Sequence, residues 1–144
     1  MTPDCDASTP ARVLIVDDEP LIRWAAAETL TERGYVVAEA GTAIEAAALA
    51  SGRPPFDVIL LDLRLPDSTT LGLLEYIRQS SPASRVVMMT AYSTPAIASE
   101  CARLGTFALL GKPFELANLA AVVDAAKGGQ AEAGMVRLVG DASA

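Results

Sequence analysis

The stretch that most constrains this chain is Phe56-Asp57-Val58-Ile59-Leu60-Leu61-Asp62. Val58 to Leu61 are four large apolar residues in a row, two of them β-branched. A run that is apolar on both alternating faces suits a strand covered on both sides, as in a parallel sheet between helix layers. The run ends abruptly in a carboxylate, Asp62. In open α/β sheets the carboxyl ends of the strands form the edge where ligands bind. The question is which other residues meet Asp62 there.

The pattern recurs along the chain. Val13-Leu14-Ile15-Val16 ends in Asp17-Asp18, and Tyr35 to Ala38 is a further strand candidate. Val86-Val87-Met88-Met89 ends in Thr90-Ala91, and Phe107 to Leu110 ends in Gly111-Lys112-Pro113. Helical patterns separate these runs. Glu19-Pro20 opens a helix to about Arg33, with Ile22, Ala26, Thr29 and Leu30 near one face and Gly34 as its stop. Thr42 caps a second helix, whose inward face is expected to hold Ile44, Ala47, Ala48 and Leu49. Leu71 to Gln79 fits a third, with Leu71, Leu74 and Ile77 aligned. Thr94 and Pro95 open a fourth, ended by Gly105, and Glu115 opens a fifth with Leu116, Leu119, Ala120 and Val123 at helical spacing. Five strands alternating with five helices predict an α/β domain, a doubly wound parallel sheet with helices on both faces. Residues 1–10 read as a flexible leader, 11–127 as the domain, and 128–144 as a Gly- and Ala-rich tail with no output domain.

Composition narrows the chemistry. The 144 residues, 51% of them hydrophobic, suffice for one full core. A formal net charge of −7 without a Lys/Arg cluster argues against nucleic acid as partner. Histidine is absent, which excludes a catalytic imidazole and a His-ligated metal. Cys5 and Cys101 match no metal-finger spacing and read as free thiols in a reducing compartment. Met1 to Arg12 lacks the basic start and apolar core of a signal peptide, and no apolar run approaches a membrane span. A soluble, cytoplasmic protein is expected, with neither DNA nor membrane as partner.

In a parallel sheet all strand ends of one kind lie on one edge. That edge would gather Asp17, Asp18, Asp62, Thr90 and Lys112. Three clustered carboxylates repel unless a cation joins them. A hard divalent ion suits oxygen ligands, and Mg²⁺ is favoured by a few carboxylates plus waters. The ammonium and hydroxyl then look for an anion, which makes a phosphoryl site. The carboxylate can itself be the nucleophile, forming an aspartyl phosphate.

The chain resembles the receiver domain of two-component response regulators. Val16-Asp17-Asp18-Glu19, Leu61-Asp62-Leu63-Arg64-Leu65-Pro66, Met89-Thr90-Ala91 and Lys112-Pro113-Phe114 carry the resemblance, in order, along about residues 11–127. It implies a flavodoxin-like, five-stranded sheet of order 2-1-3-4-5. It implies that Asp62 takes a phosphoryl group from a sensor histidine kinase or a histidine phosphotransfer protein. Asp18 and Asp62 would bind Mg²⁺ directly, Asp17 mostly through water, and the backbone carbonyl of Arg64 would complete the protein ligands. Lys112 would pair with the phosphoryl group, and Thr90 would move to hydrogen-bond it, helped by the Ala91 N–H. Lys112-Pro113 would be a cis peptide aiming the ammonium. Arg64 and Tyr92 border the site in such proteins and influence the phosphoryl lifetime. Trp24 is not clearly on a core face, and an exposed Trp would favour partner docking.

Two positions depart from the family. Receivers usually carry Tyr or Phe three residues before the lysine, as a switch ring; here it is Leu109. Phe107, two residues earlier, is expected to share Leu109's facing and so cannot replace that ring. A glycine common eight residues after the acceptor is Thr70 here, with Gly72 later.

The expected function is a single-domain response regulator receiver that signals through protein contacts, with an output protein or a second copy meeting the charge-poor fifth helix. Ala117, Ala120, Ala121, Val122, Ala125 and Ala126 leave that helix little polar cover. It is not a dedicated enzyme; Mg²⁺-dependent self-phosphorylation and autodephosphorylation of the aspartate are expected. Two alternatives are a phosphate sink without output and an aspartate-nucleophile phosphatase. The second is disfavoured because Arg64 stands where such enzymes carry a second aspartate. A flavin module on the same fold is disfavoured because no Gly/Ser/Thr phosphate loop follows the first strand.

Overall fold

A computed structural model describes residues 10–65, 68–91, 94–128 and 137–139, the side chains of 68–71 and 137–139 excepted. Its elements are β1 (Arg12–Val16), α1 (Pro20–Glu32), β2 (Val36–Ala40), α2 (Ala43–Ala50), β3 (Val58–Asp62), β4 (Arg64–Leu65), β5 (Ser68–Thr69), α3 (Thr70–Ser80), β6 (Arg85–Thr90), α4 (Pro95–Arg103), β7 (Ala108–Gly111), α5 (Leu116–Lys127) and β8 (Arg137–Val139). Leader residues 1–9, Tyr92, Pro66 and Asp67 lie outside the described residues.

The main sheet is parallel throughout, in the order β2-β1-β3-β6-β7-β8. Without the two-residue β4 and β5, which form a separate antiparallel ribbon, the first five strands stand in the expected order 2-1-3-4-5. The runs that are apolar on both faces occupy the middle: β1, β3 and β6 are buried almost end to end. Strand β2, which carries Glu39, takes an edge and is half exposed.

Two features were not expected. The connection after Asp62 holds the β4–β5 ribbon rather than a plain loop. The tail contributes β8, which extends the sheet beside β7 in the register Ala108↔Arg137, Leu109↔Leu138, Leu110↔Val139.

Alternate residues of each strand feed opposite cores. On one side Val13, Ile15, Val58, Leu60, Val87, Met89, Ala108 and Leu110 meet Ala26 and Leu30 of α1 and Leu119 and Val123 of α5. On the other, Leu14, Val16, Ile59, Leu61, Val86, Met88 and Leu109 meet Ala46 of α2, Leu74 and Ile77 of α3, and Cys101 of α4. Phe107 lies in the first cluster and Leu109 in the second. The expected shared facing fails because β7 begins at Ala108, so strand alternation does not reach back to Phe107.

The caps follow local chemistry. Thr94 Oγ1 accepts a hydrogen bond from Ile97 N–H, and Thr42 Oγ1 accepts one from Glu45 N–H. Glu45 Oε1 in turn accepts from Gly41 N–H at 2.8 Å. Gly34 (φ 97°) and Gly105 (φ 83°) end α1 and α4 in the left-handed region that L side chains avoid.

The inward face of α2 is Ala43, Ala46 and Ala50, and Ile44 is 75% exposed. Of the expected face only Ala47 packs against the core; Ile44, Ala48 and Leu49 are exposed. Alanine on three inward positions lets the helix lie close to the sheet, and the Thr42 cap holds that rotation. The apolar cover of α5 is turned inward in good part: Ala120, Val122 and Ala126 are buried within the chain, leaving Ala117 and Ala121 exposed.

The turn from α1 into β2 is tied to α5. Tyr35 OH donates to Asp124 Oδ1, and Arg33 Nη2 donates to Asp124 Oδ2. Burial and the adjacent Asp124 carboxylate push the Tyr35 phenol well above its usual range. Partial burial works against the Asp124 carboxylate, but the Tyr35 hydroxyl and Arg33 guanidinium outweigh it and hold its pKa below the ordinary value. Stability from this contact is thus present above the unfolded-state carboxylate pKa, about 3.9, and is lost as pH falls through the lower folded value. Tyr35→Phe is expected to cost about 1 kcal/mol at neutral pH. The gap between the two proteins' urea midpoints should close in acid.

Candidate functional site

The strand ends converge because the ladder continues past them. Asp17 N–H donates to Ala40 O at 3.0 Å, Leu63 N–H to Met89 O at 2.8 Å, and Lys112 N–H to Thr90 O at 2.7 Å. Asp17 and Lys112 are therefore placed by backbone bonds to a neighbouring strand, and the bond of Leu63 fixes the chain just after Asp62.

Lys112 is the hub. Its Nζ lies 2.9 Å from Asp17 Oδ2, 3.2 Å from Asp62 Oδ2 and 3.5 Å from Glu19 Oε1. Asp17 is fully buried; its Oδ1 accepts from Glu19 N–H at 2.9 Å. Asp62 is 5% exposed, and its Oδ1 accepts from Arg64 N–H at 3.1 Å. Asp18 is exposed, and one carboxylate oxygen each of Asp17, Asp18 and Asp62 lie within 4.8 Å of one another. Asp18, Glu19, Asp62, Arg64, Ala91 and Lys112 line an open cleft of about 410 Å³.

Electrostatics follow from that geometry. Burial raises the Asp62 carboxyl above its ordinary pKa, and neighbouring Asp17 adds to this against the opposing Arg64 N–H and Lys112. Burial alone would lower the Lys112 ammonium, but the bonds and charges of Asp17 and Asp62 outweigh it and hold it above the usual lysine value. Three carboxylates share one ammonium, so the cluster keeps a negative charge. An all-oxygen donor set with an open side fits a small hard cation such as Mg²⁺.

The residues expected at the site are thus largely together. Asp17 and Asp62 meet Lys112 directly, and Asp18 brings its carboxylate to within 4.8 Å of theirs. Ala91 and Arg64 border the cleft, and the Lys112–Pro113 peptide is cis. Thr90 is buried at the end of β6 and is not among the residues that line the cleft, while its neighbour Ala91 is. Leu109 is fully buried among the α2–α4 core residues. Tyr92 lies outside the described residues. Trp24 is 60% exposed on α1.

Two contributors were not expected. Glu19, a helix opener and the last residue of the Val16–Glu19 motif but given no role at the site from the sequence, reaches the Lys112 ammonium. Arg23, one helical turn later, donates through Nη1 to the Asp17 carbonyl at 2.6 Å and through Nε to Glu39 at 3.1 Å. The four-residue spacing of Glu19 and Arg23 is the signal that places both on one face of α1.

The profile of the response regulator receiver domain matches residues 13–124 of this chain. The chain belongs to that family. Among curated relatives of this receiver, the transcriptional regulatory protein PdtaR of Mycobacterium tuberculosis is 36% identical over 126 residues, covering 87% of this chain and 60% of PdtaR. The chain thus spans about three-fifths of that relative's length. The receiver domain protein (CheY-like) of Methanospirillum hungatei superposes with a TM-score of 0.79 at 29% identity, covering 85% of this chain and 97% of that one. A Burkholderia pseudomallei response regulator, solved with a phosphorylated aspartic acid, a calcium ion and citrate, superposes with a TM-score of 0.73 at 28% identity, covering 83% and 71%. Among the described residues of this receiver, no helix is long and apolar enough to cross a membrane.

Proposed function

We propose that this receiver accepts a phosphoryl group on Asp62 from a phosphohistidine of a sensor kinase or phosphotransfer protein, in the cytoplasm, and signals through protein contacts. The observation that carries this is the tethering of Asp62: one oxygen on Arg64 N–H, the other on Lys112 Nζ, at the floor of an open cleft. A tethered carboxylate is a positioned nucleophile. The presence of a phosphorylated aspartate and a divalent cation in the Burkholderia relative supports the same reading.

An Asp62 oxygen forms the new P–O bond as the donor's P–N bond breaks, and the departing imidazole keeps the electron pair and takes up a proton. Lys112 balances charge on the transferred oxygens, and the Ala91 N–H, at the cleft wall, donates to one of them. Asp18 and Asp62, with the Arg64 carbonyl and with Asp17 through water, would hold Mg²⁺, which when bound neutralises phosphoryl charge. Thr90 reports the modification by turning its hydroxyl toward it. With an aliphatic Leu109 packed in the core, Thr90 is the group that carries this signal onward. Arg64 disfavours the phosphatase alternative, since its guanidinium cannot serve as the acid/base a second aspartate would supply.

Incubation with a small phosphodonor and Mg²⁺, followed by intact mass, tests the proposal. One phosphate-sized adduct is expected, lost on chelation of Mg²⁺ and absent from Asp62→Asn. An adduct that survives this substitution overturns the assignment.

A further inference from the structure

A sheet edge presents unpaired backbone N–H and C=O groups and is a template for another strand. In this receiver the β7 edge does not stand open: β8 lies along it in parallel over three residue pairs. The connection from Lys127 to Arg137 makes β7, α5 and β8 one further βαβ unit. The segment is short, however, and its flank Gly128-Gly129-Gln130-Ala131-Glu132-Ala133-Gly134 is composed like a flexible linker. Met135-Val136-Arg137-Leu138-Val139 is by contrast an apolar, β-prone run with one charge. The strand it covers leads directly to Lys112, whose N–H and Nζ are both committed at the site.

We propose that the β7 edge is a strand-accepting surface, which the chain keeps closed with its own segment Arg137–Val139. The partner it fits is an extended, apolar segment adding in parallel, and such a partner docks only by taking the place of β8. Backbone bonds supply the affinity in this mode of recognition, and alternate side chains supply the selectivity. The inference stands apart from the phosphoryl reading, since it concerns backbone pairing at the far side of β7.

Amide exchange and peptide binding on the full chain test it. The Leu138→Pro/Val139→Pro double variant removes two successive N–H groups, and successive N–H groups of a strand point to opposite sides, so the one facing β7 is lost. The probe is a labelled peptide of residues 134–141. In the native chain the amides of Arg137–Val139 and of β7 should exchange slowly. In the variant the β7 amides that face β8 should lose protection while those that face β6, and those of β3, keep it, and the peptide should bind about tenfold or more tightly than to the native chain, whose edge is occupied. Random-coil exchange at Arg137–Val139 in the native chain overturns the proposal without any substitution. So does equal peptide binding to the two proteins, binding to neither, or self-association of the variant in place of peptide binding.

Discussion

Asp62→Asn is expected to make the protein more stable at neutral pH while abolishing the phosphate adduct. The folded-state pKa of Asp62 is raised, chiefly by burial and further by Asp17. A carboxyl raised on folding contributes stability below its unfolded pKa, and that contribution is lost as pH rises through the folded value. At pH 7 the ionised group therefore works against the fold. An amide of the same shape keeps the acceptor for Arg64 N–H and removes the charge. The gain should fall within the 0.5–3 kcal/mol typical of single substitutions, with roughly the opposite sign to most of them. It should shrink as pH falls through the raised folded-state value of Asp62. Urea denaturation over a series of pH values from neutral into acid reads both effects; an Asp62→Asn protein less stable than native at pH 7 would contradict the charge assignment.

Lys112→Met should have the opposite effect on stability and should slow the chemistry rather than abolish it. Asp17 is wholly buried, and Lys112 is the cation that meets its carboxylate and that of Asp62. Removing one partner of such a pair leaves buried charge uncompensated, at a cost of about 3–5 kcal/mol. Added Mg²⁺ should recover part of that loss, because the remaining carboxylates match its donor preference. Phosphoryl acceptance should fall roughly 10²–10³-fold, the usual effect of deleting one charge-stabilising donor. Thermal melting with and without Mg²⁺, together with adduct formation over time, separates the two effects. A variant as stable as native in the absence of Mg²⁺ would show that Lys112 does not neutralise the pair.

The strand ends were legible because each apolar run stops at a residue whose chemistry has no place in a core. Asp17-Asp18, Asp62, Thr90 and Lys112 could be assigned to one edge as soon as the sheet was read as parallel. What could not be read depended on size or on distance along the chain. An alanine carries little signal about which way it faces, so the apolar pattern points Ile44 inward and leaves Ala46 unmarked. Glu19 and Lys112 meet across 93 positions, a contact that no local pattern encodes. Alternation says nothing of Phe107, because the strand begins one residue after it. The three residues of β8 are too few to show a period, and they follow a stretch with the composition of a linker.

The alanine face of α2 bears on how sequences of this shape drift. Ala46 is completely buried where the helix lies against the sheet, while the larger Ile44 stands mostly in solvent. Added methylenes at a packed position force neighbours off their rotamers, so the constraint at Ala46 is a ceiling on volume. At Ile44 neither volume nor polarity is held. Among descendants of this chain, the small residue should be the slow-changing one and the greasy residue the one free to vary. A ranking of positions by hydrophobicity would reverse that order.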